Sequence, residues 1–121
     1  MNRKKPWLEN YPEGASEELV FDPRGTLVKL LDQAETDYAS YEAFVNFGVS
    51  MKYEQVAKDS KSFAAYLQNV LGLRKGDRIA MMMPNLLQYP VAIFGALRAG
   101  LIVVNVNPLY TPRELEHQLR D

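Results

Sequence analysis

Two near-continuous apolar runs, Ile79–Met83 and Leu101–Val106, constrain this chain more than any other feature. Each has the length of a strand, and the second (LIVVNV) is dominated by β-branched residues, which suit a packed, pleated surface. A run without polar alternation cannot turn one face to water, so both strands are expected to be covered on both faces, as in a parallel sheet. Between them, residues 86–99 place Leu87, Val91, Phe94 and Leu97 at helical spacing and close at Gly100. Parallel strands need such a crossover, so the pattern predicts a βαβ unit and an α/β fold class. Pro90 is expected to kink this helix or delay its regular start.

The remaining elements follow from local signals. Residues 1–25, punctuated by Pro6, Pro12, Gly14, Pro23 and Gly25, show no period and read as an irregular N-terminal arm. A helix is predicted over about 26–39, capped by Thr26, with Leu27, Leu30, Leu31, Ala34 and Tyr38 as its stripe. Residues 42–53 read as a short hairpin turning at Asn46–Gly48. A second helix covers about 54–71, with Val56, Phe63, Leu67, Val70 and Leu71 as its stripe and Gly72 as a left-handed C-cap; Lys52, Lys58 and Lys61 are then solvated. Thr111-Pro112-Arg113-Glu114 is a capping box with proline at the first helical position, opening a last helix with Leu115 and Leu119 on its apolar face. Two long parallel strands fall short of the usual sheet of about four to six. Residues 26–121 therefore read as an incomplete front part of a larger domain, ending at Asp121 within a helix.

Composition closes off several functions. Over 121 residues, 14 Lys and Arg stand against 15 Asp and Glu, so no basic excess points to nucleic acid. Cysteine is absent, which removes disulfides, thiolate nucleophiles and Cys-based zinc sites and fits a cytoplasmic location. Met1–Leu8 has a basic start but no apolar h-region after it. Ile79–Leu97 is uncharged and about as long as a membrane span, yet Pro84, Asn85, Gln88, Pro90 and Gly95 make it a strand, a turn and a helix instead.

Candidate chemistry is sparse. A phosphate-cradling loop needs small residues between strand and helix; the loops here are Pro84-Asn85-Leu86 and Asn107-Pro108-Leu109-Tyr110, and neither is glycine-rich. The acidic strand ends of a response regulator are missing as well. His117, the only histidine, has no companion ligands and reads as a surface or packing residue. Glu17 and Glu18 sit in the arm, where no rigid scaffold organises an acid–base pair. Met81, Met82 and Met83 read as core packing in a doubly covered strand. Asp77 reads as a turn residue bonding local backbone N–H groups. In the arm, Arg3, Lys4 and Lys5 beside Trp7 suit either a weak contact with an anionic membrane or a packing or dimer-exchange role.

One ordered series of residues carries a resemblance. Lys75-Gly76-Asp77-Arg78-Ile79-Ala80-Met81-Met82-Met83-Pro84-Asn85 is followed by Ala96-Leu97-Arg98-Ala99-Gly100. Asn105-Val106-Asn107-Pro108-Leu109-Tyr110-Thr111-Pro112-Arg113-Glu114-Leu115 completes the series. It resembles the N-terminal region of the acyl-adenylate-forming, AMP-binding enzymes, and is most similar to the bacterial long-chain fatty acid–CoA ligases through Met82–Ala92 and the arm's Pro6-Trp7-Leu8 and Tyr11-Pro12. Met51-Lys52-Tyr53-Glu54-Gln55-Val56 is similar to the superfamily's first core motif and Leu97–Pro108 to its second.

The resemblance implies a full-length enzyme that uses ATP and Mg2+ to form an acyl-adenylate from a long-chain fatty acid and then transfers the acyl group to CoA. It implies that the catalytic and metal-binding residues lie downstream, that this segment holds no catalytic residue, metal or cofactor of its own, and that its main partner is the remainder of the ligase chain. Apart from the resemblance, a homodimer and peripheral contact of the arm with the inner membrane stand as further expected associations. The resemblance also implies that Pro108 and Leu109 line the CoA channel, with Tyr110 placed to stack on adenine; the alternative is that this turn only positions the helix opened by Thr111. Another acyl- or aryl-CoA ligase branch, and a free-standing binding or dimerisation module pairing through the 101–106 edge, are the competing readings.

Overall fold

The computed structural model describes residues 5–16, 18 and 25–121. Arg3, Lys4 and Glu17, singled out above, lie outside the described residues. Within the arm, Pro6–Asn10 forms a short 3₁₀ helix, with Pro6 at its start.

Helix α1 (Leu27–Tyr38) begins where Thr26 adopts an extended backbone and its side chain accepts the Lys29 N–H, as the cap signal predicts. Strands β1 (Glu42–Asn46) and β2 (Val49–Lys52) pair antiparallel across the two-residue turn Phe47-Gly48. Helix α2 (Tyr53–Asn69) follows directly and runs out at Gly72, whose φ of 67° is the left-handed conformation that glycine adopts without a Cβ penalty. Strand β3 (Arg78–Met81), helix α3 (Gln88–Arg98) and strand β4 (Ile102–Asn105) form the expected βαβ unit, the strands parallel with Arg78 opposite Ile102 and Met81 opposite Asn105. Pro90 is the third residue of α3, still in the first turn, where its missing N–H costs no intrahelical bond, so it neither kinks the helix nor delays its start. Helix α4 (Pro112–Arg120) opens on the predicted capping box.

The core lies where α2 crosses α3 and both meet the sheet. Ala64, Leu67, Ala96, Ala99 and Leu101 form its buried centre, with Phe63, Leu73, Ile79 and Val103 packed around it. The crossing is close because the facing residues are small: Ala57, Ser60 and Ala64 on α2 against Ala92, Gly95 and Ala96 on α3.

Several expectations are corrected, the first by that closeness. Val91, Phe94 and Leu97 sit half-buried at the margin of the crossing, not at its centre. Val70 and Leu71 lie beyond the end of α2 and are exposed. Of the α1 stripe only Leu31 is buried, while Leu27, Leu30 and Tyr38 face solvent, because α1 touches α2 and α3 along one edge. The parallel sheet is covered on one face, not two. Ile79 and Val103 point into the core, but Ala80 and Ile102 on the other side are exposed, and Met82 is 39% exposed, since no described helix packs there.

Candidate functional site

In open α/β sheets, ligands sit beyond the carboxyl ends of the strands, and here those ends are the loops 82–87 and 106–111. The second is built with care. Asn107 Oδ1 accepts the Leu109 N–H at 3.0 Å and the Asn107 carbonyl accepts the Tyr110 N–H at 3.1 Å, closing a tight Asx-type turn. Pro108, Leu109 and Tyr110 are thereby brought together on one rigid turn. Pro108 is exposed, Leu109 is 87% exposed and Tyr110 37%, so the turn presents an uncharged, largely apolar surface outward.

Both ends of this turn are anchored. Upstream, Asn105 closes β4: its Oδ1 accepts the Tyr89 hydroxyl at 2.7 Å, and its carbonyl accepts the Gln118 Nε2 at 3.0 Å. Val106 is buried and its N–H continues the ladder to the Met81 carbonyl. Downstream, the Glu114 carboxylate accepts both the Thr111 N–H at 2.8 Å and the Thr111 hydroxyl at 2.7 Å. These bonds from Thr111 hold the Glu114 carboxyl below the usual glutamate range, so it is a carboxylate at neutral pH. The start of α4 is thus occupied by the chain's own anion and does not offer itself to a phosphate.

An open groove runs from Tyr110 along α4, lined by Thr111, Arg113, Glu114, His117 and Gln118. His117 is exposed within it. Asp77 does what the sequence predicts, accepting the Arg74 N–H at 2.7 Å in the turn before β3. Met81 is buried, whereas Met82 is partly exposed and Met83 half-buried. Among the described residues no group of three or more His, Asp or Glu converges as a metal site, and no helix is long and apolar enough to cross a membrane. Sequence reasoning singled out neither Tyr89, Asn105 nor Gln118 as functional. The one signal available was Asn105 itself, a polar residue inside an otherwise apolar run.

The family profile described as AMP-binding enzyme matches residues 31–121. The chain belongs to the AMP-binding enzyme family. Within that family it is 61% identical over 118 residues to a long-chain-fatty-acid–CoA ligase of Salmonella typhimurium, an alignment covering 98% of this chain and 21% of that protein. The chain therefore spans about a fifth of the length of the curated relatives it matches. Solved AMP-binding enzymes share the fold. The fatty acyl CoA synthetase of Mycobacterium tuberculosis is 30% identical with a TM-score of 0.70, over 76% of this chain and 18% of that one. The benzoate CoA ligase of Burkholderia xenovorans is 29% identical with a TM-score of 0.71, over 77% and 19% respectively.

Proposed function

We propose that residues 26–121 are the front part of the AMP-binding domain of a long-chain fatty acid–CoA ligase, preceded by an arm at residues 1–25. The observation that carries this reading is the 61% identity, over nearly the whole chain, to a protein bearing that name. The complete enzyme forms an acyl-adenylate from a long-chain fatty acid and ATP with Mg2+, releases pyrophosphate, and passes the acyl group to CoA. This chain alone is inactive in that scheme, because neither of its strand-to-helix loops is built to cradle phosphates.

Its contribution is structural, with one contact of its own. Pro108 and Leu109 line the path of CoA, and Tyr110 stacks on adenine. The rigidity, exposure and apolar character of the turn support this role. Because Glu114 fills the start of α4, the turn suits the uncharged parts of CoA and not its phosphates. A cytoplasmic location, a second copy of the chain and an anionic membrane surface complete the reading; the half-exposed Trp7 beside Lys5, whose ammonium lies 3.9 Å from the exposed Glu18 carboxylate, is the feature of the arm that supports the last two.

The test begins with the native protein. An antibody raised against residues 1–121 is used on source-cell extract for an immunoblot, and the captured protein is assayed for ATP–pyrophosphate exchange. The expected result is a polypeptide several times larger than 13.8 kDa, whose exchange depends on a long-chain fatty acid, while the purified 121-residue chain gives none. Exchange driven by benzoate but not by long-chain acids would assign the protein to an aryl-CoA branch. A single band near 13.8 kDa would favour the free-standing module. Light scattering and flotation with anionic vesicles read the second copy and the membrane contact in the same preparation.

A further inference from the structure

We infer that Tyr89 and Gln118 are positioning residues for the acyl-transfer step, acting through Asn105 to fix the turn at Pro108–Tyr110. The inference rests on the reading of that turn as part of the CoA path. Tyr89 lies in the first turn of α3 and Gln118 near the end of α4, 16 and 13 residues from Asn105, yet both converge on it. The two bonds take different atoms of Asn105, the side-chain oxygen and the carbonyl, so neither substitutes for the other.

The geometry makes Asn105 the point where three elements meet: the end of β4, the start of α3 and the inner side of α4. The Gln118 amide cannot be turned over. Its Nε2 faces a carbonyl, so the reverse orientation would set acceptor against acceptor. Its Oε1 is buried without a hydrogen-bond partner among the described residues. A buried acceptor left unpaired is costly, and the Nε2 bond to Asn105 is what retains the side chain in that place. Two residues beyond Asn105, Asn107 starts the turn that carries Leu109 outward. Since Leu109 is 87% exposed, its own packing does not fix it, and its position depends on the anchors at either end. The downstream anchor is the capping box, whose bonds all lie between Thr111 and Glu114. The upstream anchor is the Tyr89–Asn105–Gln118 set, which, with the buried Val106, ties the turn to the body of the fold and, among the described residues, does so through side chains from two other elements. Asn105 is therefore more than a polar interruption in an apolar strand.

The experiment uses a chimaera in which this chain replaces the matching stretch of the Salmonella typhimurium ligase. Tyr89→Phe keeps the ring and removes the hydroxyl; Gln118→Leu removes the amide at similar volume; Leu109→Ala alters the turn's proposed contact directly. ATP–pyrophosphate exchange, which does not involve CoA, is measured beside the KM for CoA in acyl-CoA formation. The expected result is that each of the three raises the KM for CoA by about five-fold, the scale of one lost hydrogen bond or contact, with exchange rates within about two-fold. If Leu109→Ala raises that KM and neither Tyr89→Phe nor Gln118→Leu does, the turn reading stands and the positioning inference is overturned. If Leu109→Ala leaves it unchanged, the turn reading fails and the inference falls with it. Equal loss of exchange and acyl transfer in Tyr89→Phe would mark Tyr89 as a structural residue only and also overturn the inference.

Discussion

The Nε–H of Arg98 donates to the Ser60 hydroxyl at 3.1 Å, inside the crossing of α2 and α3. Ser60 is fully buried and its hydroxyl donates to the Ala57 carbonyl at 2.9 Å, so its donor and an acceptor site are both used. The other side of the guanidinium pairs with Asp32 on α1, and one side chain thereby ties three helices together. The Arg98 side chain is 11% exposed and Asp32 is 47% exposed, so the two ends of this pair are not equivalent. Arg98→Ala removes a packed stem and two charge-assisted bonds and is expected to cost about 2–3 kcal/mol. Asp32→Asn is expected to cost less than about 1 kcal/mol, because half of that carboxylate already sits in water. Urea denaturation of the chain measures both, and equal losses would contradict this ordering.

Gly95 is the second fixed point of the same crossing. A Cβ there would lie 2.7 Å from Phe63 Cδ1 and 3.0 Å from the Ser60 carbonyl oxygen. The phenyl ring can swing aside, but the carbonyl belongs to the backbone of α2 and cannot. In an unpacked helix Gly→Ala gains about 1 kcal/mol; here overpacking of about 1–3 kcal/mol opposes it. Gly95→Ala is expected to lower the thermal midpoint of the chain, and Gly95→Leu to lower the soluble yield as well. A raised midpoint for Gly95→Ala would show that the helices can part without loss.

The Thr111–Glu114 box makes the start of α4 sensitive to acid. Glu114 has a folded pKa below its ordinary value, with the Thr111 hydroxyl and N–H as the causes. A group depressed in the folded state stabilises it fully above its unfolded pKa and loses that contribution as pH falls through the folded pKa. α4 is thus expected to keep its first turn at neutral pH and to fray in acid below the ordinary glutamate range. Thr111→Ala removes the side-chain cap, at a cost of about 1 kcal/mol, and should return the Glu114 titration toward its usual place. Carbon-detected NMR titration of the Glu114 carboxyl reads both effects. An unchanged titration in Thr111→Ala would mean the cap bonds do not govern it.

What was legible in the sequence is what short-range chemistry writes there. Thr26 and Thr111 announced their helices, Gly72 its C-cap, and two β-branched runs around a helical stretch announced the βαβ unit. The turn at Asn107–Tyr110 was found for the same reason. Hydrophobicity alone does not say how closely two helices approach, and so Val91, Phe94 and Leu97 were expected where Ala92, Gly95 and Ala96 make the contact. The exposure of Ile102 and Ala80 was hidden for a related reason: an apolar run reports that a face is suited to burial, not that this chain supplies the cover. The Tyr89–Asn105–Gln118 convergence depends on the fold bringing distant positions together, and no local pattern encodes it.

Phe47 occupies the least comfortable backbone position among the described residues. It and Gly48 are the two central residues of the hairpin turn, with φ of 48° and 79°, the pairing of signs that a type I′ turn requires. Asn or Gly at the first position adopts that conformation readily, whereas a bulky aromatic is strained there. Phe47 is also 95% exposed, so its ring recovers almost nothing through packing within this chain. Phe47→Asn is therefore expected to stabilise the isolated chain, by roughly 1 kcal/mol on the usual scale of such backbone strain. The informative comparison is the same substitution in the chimaeric ligase. A gain in both proteins would mean that the ring has no partner in either. A gain in the chain alone, with a loss in the chimaera, would mean that the rest of the ligase supplies the surface against which Phe47 is held, and that the strain is maintained for that contact.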